Sequence, residues 1–115
     1  MQSVLDTTQL AAALDKVPVG VTIIDTAGHI LYFNAYCARF VNRKPGHIGR
    51  DIRDCHKEAE SIVRIDAMLK ALGEGRESEI HCTNRRGKNQ LAVTVAPFDI
   101  EGERIGYIQS FVVKA

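Results

Sequence analysis

The sequence predicts an α+β domain built on one antiparallel sheet, with helices between the first two and the last three strands. Segments rich in β-branched and apolar residues come in neighbouring pairs joined by short turns, as in antiparallel hairpins. Between the pairs lies a long segment whose apolar residues recur at the helical period. The predicted order is β-β-α-loop-α-β-β-β, and 115 residues fit a single domain, 1–115.

The first predicted element is a short helix, 7–15, that precedes the sheet. Its apolar stripe consists of Leu10, Ala11 and Leu14 at helical spacing. Because so short a helix is not stable alone, the stripe is expected to pack on the domain or on a partner chain. Pro18 then ends the helix, since the residue before a proline is pushed out of the α region.

Two strands and a second short helix follow. Residues 19–25 and 29–33 are β-branched or apolar, and the turn residues between them predict a tight hairpin. Asn34 is then expected to cap a short helix that runs to Val41. Residues 43–49 contain one proline and two glycines, which predicts a loop with room for one helical turn.

The long helix is predicted from Lys57 to Leu72. Its apolar residues keep the helical period, and charged side chains of both signs form the face that meets water. Asp54 is the expected N-cap residue, because a carboxylate there accepts from free backbone N–H groups. Gly73 and Gly75 are expected to end the helix.

Three strands complete the predicted sheet, over residues 77–83, 90–97 and 104–113. A turn is predicted at 85–88 between the first two, and another at 99–103 between the last two. Arg85 and Arg86 would then lie in a turn, where a solvated charge is expected.

The composition excludes several classes of protein. With 45% hydrophobic and 25% charged residues the chain is typical of a globular domain. The net charge of +1, without a clustered basic run, argues against direct nucleic-acid binding. No apolar run approaches membrane-spanning length, so we expect a cytoplasmic domain without membrane contact, although it could be cut from a longer, membrane-attached chain. No GxSxG, P-loop or HExxH motif is present, so an enzyme is not expected.

The cysteines do not predict a cross-linked or zinc-stabilised fold. Cys37, Cys55 and Cys82 are odd in number and show no CxxC spacing. A disulfide framework or a structural zinc site is therefore not expected.

Four segments in the right order resemble a PAS domain. Residues 17–25 and 28–34 are similar to the family's opening hairpin, where an acidic residue closes the first strand and an asparagine follows the second. The Ile-Gly-Arg-Asp-Ile segment at 48–52 resembles the approach to its ligand-side helices, and 102–108 resembles its last hairpin. The resemblance covers roughly residues 12–113, nearly the whole chain.

The resemblance implies a PAS fold, a five-stranded antiparallel sheet with helices packed on one face, in a core over 17–113. Residues 1–16 would form an N-terminal flanking helix. The closest likeness is to a bacterial subgroup with an Asp-Cys-His signature before the long helix, here residues 54–56. The chain also resembles haem-binding PAS sensors of diatomic gases, including carbon monoxide-responsive regulators, in which a histidine on the ligand-side helices binds the iron.

This likeness makes His56 the candidate metal ligand, an axial ligand to haem iron, because a neutral imidazole binds iron well. The alternative is a hydrogen-bonding role at the start of the long helix. Cys55 is the competing ligand, or else a small buried apolar residue. Met68 is a soft axial ligand or core filler. Arg50 and Arg53, near the expected pocket entrance, are candidates to hold an anion or a haem propionate.

We therefore predict a sensory domain that binds a small ligand, with haem as the leading cofactor, in a pocket between the long helix and the sheet. It would relay ligand occupancy to an output domain or a signalling partner, and transcription regulation is one expected output. The helix 7–15 and the strand 104–113 are the expected output surfaces, because they lie next to the chain ends. The alternative is a cofactor-free interaction module that forms a homodimer through Leu10, Ala11 and Leu14.

Overall fold

The computed structural model describes residues 4–114. It contains three α-helices, α1 (Thr7–Leu14), α2 (Ala35–Phe40) and α3 (Ala59–Gly73). Two short 3-10 turns, Pro45–His47 and Ile52–Cys55, lie between α2 and α3. The strands are β1 (Gly20–Asp25), β2 (Ile30–Phe33), β3 (Ile80–Arg86), β4 (Asn89–Ile100) and β5 (Glu103–Val113).

The five strands form one sheet in the order β2-β1-β5-β4-β3. Each neighbouring pair is antiparallel, so the predicted five-stranded antiparallel sheet and its α+β class are confirmed. The first and last strands of the chain, β1 and β5, pair in the middle of the sheet. The core lies between the sheet and α3, where Ile65 and Leu72 of the helix are buried with Val93 and Phe111 of the strands.

The predicted start of the long helix is wrong. Asp54 does not cap it, because Asp54 lies inside the Ile52–Cys55 turn. This turn is capped by Asp51, whose carboxylate accepts a hydrogen bond from the Arg53 backbone N–H at 2.9 Å. His56 then has an extended backbone, with φ of -117° and ψ of 132°, which interrupts the helical path. The helix begins only at Ala59, two residues later than the apolar period suggests.

The predicted turn at 85–88 is also wrong. Arg85 and Arg86 belong to β3 and pair with Gln90 and Asn89 of β4. A two-residue turn is sufficient here, because Gly87 has the positive φ of 60° that such tight hairpins require. The two arginines therefore lie on an edge strand of the sheet.

Asn34 ties three elements together, and its predicted role as the cap of α2 is confirmed. Its side chain is fully buried. The Oδ1 atom accepts hydrogen bonds from the backbone N–H groups of Val21 at 2.9 Å and Cys37 at 3.0 Å. The Nδ2 atom donates to the carbonyl oxygens of Leu14 at 2.9 Å and Val19 at 2.8 Å. One amide thus joins the end of α1, the start of β1 and the start of α2.

We expect Asn34→Ala to lower the free energy of unfolding by about 2–4 kcal/mol, because four backbone groups lose their buried partner. Asn42→Ala is the matched control, since the Asn42 side chain makes one 3.2 Å bond to the Cys55 carbonyl oxygen. It should cost about 1 kcal/mol or less. Urea denaturation followed by circular dichroism measures both, and equal losses would contradict the anchoring role of Asn34.

Candidate functional site

A cavity of about 930 Å³ lies between α3 and the sheet, where the sequence places the pocket. Ligand pockets in proteins span roughly 300–1,000 Å³, so this one is large for a small domain. One part of its wall is apolar and comes from β1, the second 3-10 turn, α3 and β4, through Ile24, Ile52, Ile65, Met68, Leu69 and Val95.

Another part of the cavity wall is cationic. Six basic side chains line it, Arg43, Lys44, Lys57, Arg64, Arg85 and Arg86. Glu58 is the one acidic residue among the described residues of the wall. Because the whole chain has a net charge of only +1, positive charge is concentrated at this cavity.

Arg43 is the most deeply buried of these cations, with 6% of its surface exposed. Its guanidinium donates to Thr22 Oγ1 at 3.4 Å, to the Asn42 carbonyl oxygen at 3.0 Å and to Gln109 Oε1 at 3.3 Å. Thr22 and Gln109 are direct partners in the β1–β5 pairing, so both acceptors come from the middle of the sheet. All three acceptors are neutral, and within residues 4–114 Arg43 forms no ion pair.

The alternation along β3 leaves Arg86 partly buried. The even-numbered residues of this strand are partly buried, and Cys82, Asn84 and Arg86 line the cavity; the exposed Thr83 and Arg85 line it as well, while His81 is exposed and does not. The Arg86 Nε atom is buried and has no hydrogen-bond partner. Arg64, on α3, makes a 3.4 Å bond to Ser61 Oγ.

His56 lines the cavity from the segment between the second 3-10 turn and α3. Its side chain is partly buried, and no residue within 4–114 hydrogen-bonds to its ring. Burial, followed by the positive charges of Arg43, Arg86 and Arg64, lowers the pKa of His56 to about 4. The imidazole is therefore neutral at physiological pH, with a ring nitrogen free to accept a bond.

Cys55 and Met68, the other two candidate iron ligands, also line the cavity. Cys55 is buried, and burial raises the pKa of its thiol, although the charge of Arg43 opposes this rise. The protonated thiol is a poor metal ligand, since the thiolate is the form that binds. Met68 is partly buried and packs against the core.

Arg50 and Arg53 lie outside the cavity wall. Arg53 forms ion pairs with Asp51 at 2.9 Å and with Asp66 at 2.6 Å. Arg50 is exposed and pairs with Asp54 at 3.4 Å. The arginines that the structure brings to the cavity are instead Arg43, Arg64, Arg85 and Arg86. The sequence predicts a loop for Arg43, the water-facing side of the long helix for Arg64, and a turn for Arg85 and Arg86, and it assigns none of them to the pocket.

Two further properties bear on the function. None of the helices within residues 4–114 is long and apolar enough to cross a membrane, and the cytoplasmic location stays a prediction. In the same residues, no three histidine, cysteine or acidic side chains come together as a metal-binding group. The three cysteines are free.

The fold and the cavity between α3 and the sheet define the class of protein. The family model for the PAS domain matches residues 10–112. The chain belongs to the PAS domain family, as its resemblance indicated.

Solved structures share this fold at low sequence identity. A C-terminal domain from Streptococcus mutans matches with a TM-score of 0.80 and 19% identity, over 95% of this chain and 85% of that one. A PAS domain from Colwellia psychrerythraea matches with a TM-score of 0.72 and 16% identity, over 93% and 95%. A sensory box sensor histidine kinase from Vibrio cholerae gives 0.65 and 16%, over 92% and 90%. Comparison with curated proteins gives no match.

Proposed function

We propose that this PAS domain is a sensor whose cavity binds a small ligand and relays its occupancy to an output domain or a signalling partner. The observation that carries the proposal is the cavity itself, about 930 Å³ with an apolar wall, a neutral histidine and unpaired arginines. The likeness of the fold to a sensor histidine kinase supports a signalling role. We also propose that residues 54–56 mark the Asp-Cys-His subgroup.

The contacts of Arg43 offer a route from the cavity to the sheet. A ligand that draws the guanidinium toward the cavity would weaken its bonds to Thr22 on β1 and Gln109 on β5. These strands pair in the middle of the sheet. Such a ligand shifts the equilibrium between two states only if it binds them with different affinities. We therefore keep β5 as a proposed output surface, and α1 as the other, since Asn34 joins the end of α1 to β1.

Haem is the specific cofactor that we propose for this cavity. The neutral ring of His56 fits an axial ligand, since imidazole binds iron in its neutral form. Met68 lines the same cavity and offers a soft second donor, whereas Cys55 is held as a thiol. Arg64 and Arg86 would hold propionates in place of Arg50 and Arg53. When bound, haem would supply an iron able to bind diatomic gases.

We expect haemin added to the purified domain to give a sharp Soret band that saturates at one haem per chain. The band should be lost in His56→Ala, because the axial nitrogen is removed. His81→Ala is the matched control and should keep the band, since His81 is exposed and hydrogen-bonds to Glu79 at 2.7 Å. A broad, non-saturating spectrum that is the same in all three proteins would reject haem and leave another small ligand.

A second candidate function, a cofactor-free homodimer, is favoured by the surface of α1. No residue of this helix is buried, and Leu10 remains 51% exposed. Ala11 and Leu14 are partly covered by the domain. Leu5 and Val4, just before the helix, are also exposed apolar side chains. A second copy of the chain would cover this surface.

For this alternative, Leu10→Asp should convert the dimer into a monomer, because a charge would be buried at the contact. Thr8→Asp, an equal charge on an exposed position of the same helix, should leave the dimer intact. Size-exclusion chromatography with light scattering measures the mass of each. A dimer that survives Leu10→Asp would contradict this interface.

A further inference from the structure

We propose that the cationic end of the cavity binds the carboxylate of an organic acid whose body is apolar. The inference rests on the proposed ligand-binding function and names the chemical class of the ligand. Three arginines define this end, Arg43 from the segment after α2, Arg64 from α3 and Arg86 from β3. We call these three residues the arginine cluster.

The arginine cluster lacks the acidic partners that arginines have elsewhere in the domain. Outside the cavity, four arginines each form an ion pair with an aspartate or glutamate, namely Arg50, Arg53, Arg76 and Arg104. Within residues 4–114, no member of the arginine cluster forms one. Glu58, the acidic residue of the wall, bonds to none of the three. Arg64 is exposed to solvent, whereas Arg43 is buried and Arg86 partly buried, so the charge of these two is left for a ligand to balance.

Burial makes the unbalanced charge of Arg43 and Arg86 costly. Arg43 is 6% exposed, and its guanidinium has only neutral acceptors. A buried charge without a counter-charge is strongly unfavourable, and an anion in the cavity would remove that cost. The buried Arg86 Nε atom has no acceptor at all. A carboxylate oxygen satisfies such a donor, and the planar guanidinium matches both oxygens of a carboxylate.

The remaining wall indicates what the anion is attached to. Ile52, Ile65, Leu69 and Val95 face the cavity without a polar group, together with Met68. An apolar body packed there is stabilised by roughly 25 cal/mol per Å² removed from water. Free phosphate or a small polar anion would leave this apolar wall exposed to water. The wall and the arginine cluster together favour a molecule with an apolar body and one oxyanion head.

Isothermal titration calorimetry on the purified domain tests the class of ligand. Butyrate, octanoate and 1-naphthoate are compared with their neutral amides and with inorganic phosphate. We expect at least one carboxylate to bind at one per chain, and its amide to bind about tenfold or more weakly, because charge-assisted bonds are lost. Phosphate, which has no apolar body, should bind more weakly than that carboxylate.

A pair of arginine variants tests the site. Arg86→Gln should weaken the carboxylate about tenfold while leaving its amide unchanged. Arg76→Gln is the matched control, because Arg76 is exposed and paired with Glu74 away from the cavity, and it should change neither affinity. Arg43→Lys keeps the charge and removes the planar fork, so it should also weaken the carboxylate. Circular dichroism shows that each variant is folded.

The contrary outcomes are distinct from one another. If a carboxylate and its amide bind with equal affinity, the anion site is overturned and the proposed ligand-binding function is left intact. If phosphate binds as tightly as the best carboxylate, the claim that the ligand has an apolar body is overturned. If no carboxylate binds at millimolar concentration, the inference fails, while a haemin titration that saturates at one per chain would still support the proposed ligand-binding function.

Discussion

The unpaired positive charge of Arg43 is the constraint on which the cavity depends. Its guanidinium donates to Thr22 and Gln109, paired residues in the middle of the sheet, so the fold places it at the cavity wall. From there it helps burial to keep His56 neutral and opposes the effect of burial on the thiol of Cys55. The cavity consequently combines one buried cation, Arg43, with two uncharged side chains, the His56 ring and the Cys55 thiol. This combination suits an anionic ligand or a haem better than a cavity without any ligand.

The fold could be predicted from the sequence because its determinants are local. Hairpin turns, strand composition and the helical period specify where each element lies, and the PAS resemblance supplies their arrangement. Both boundary errors arose where a side chain or a glycine overrides the pattern. Asp51 closes a 3-10 turn that a helical period does not reveal, and Gly87 allows a turn short enough to leave Arg85 and Arg86 in the strand.

The site could be predicted only in part. His56, Cys55 and Met68 line the cavity as the resemblance implied, whereas Arg50 and Arg53 are occupied by acidic partners from elsewhere in the fold. Which arginine is paired and which is not depends on tertiary contacts, and no local pattern shows it. The period of two along β3 places residues 82, 84 and 86 on one face of the sheet. It would have predicted that Arg86 lies on the cavity side if the predicted strand had extended to residue 86. The burial of Arg43 has no such local signal.

The measurement that tests the account most directly is the pKa of the His56 ring, followed by NMR across a pH titration. In the free domain the account predicts a pKa of about 4. A saturating organic carboxylate should raise it, because a nearby anion favours the imidazolium form. Because the unfolded chain binds this proton more tightly, stability should also fall as the pH drops below about 6.5. A pKa near 6.5 that the carboxylate does not move would contradict a desolvated, cation-lined cavity.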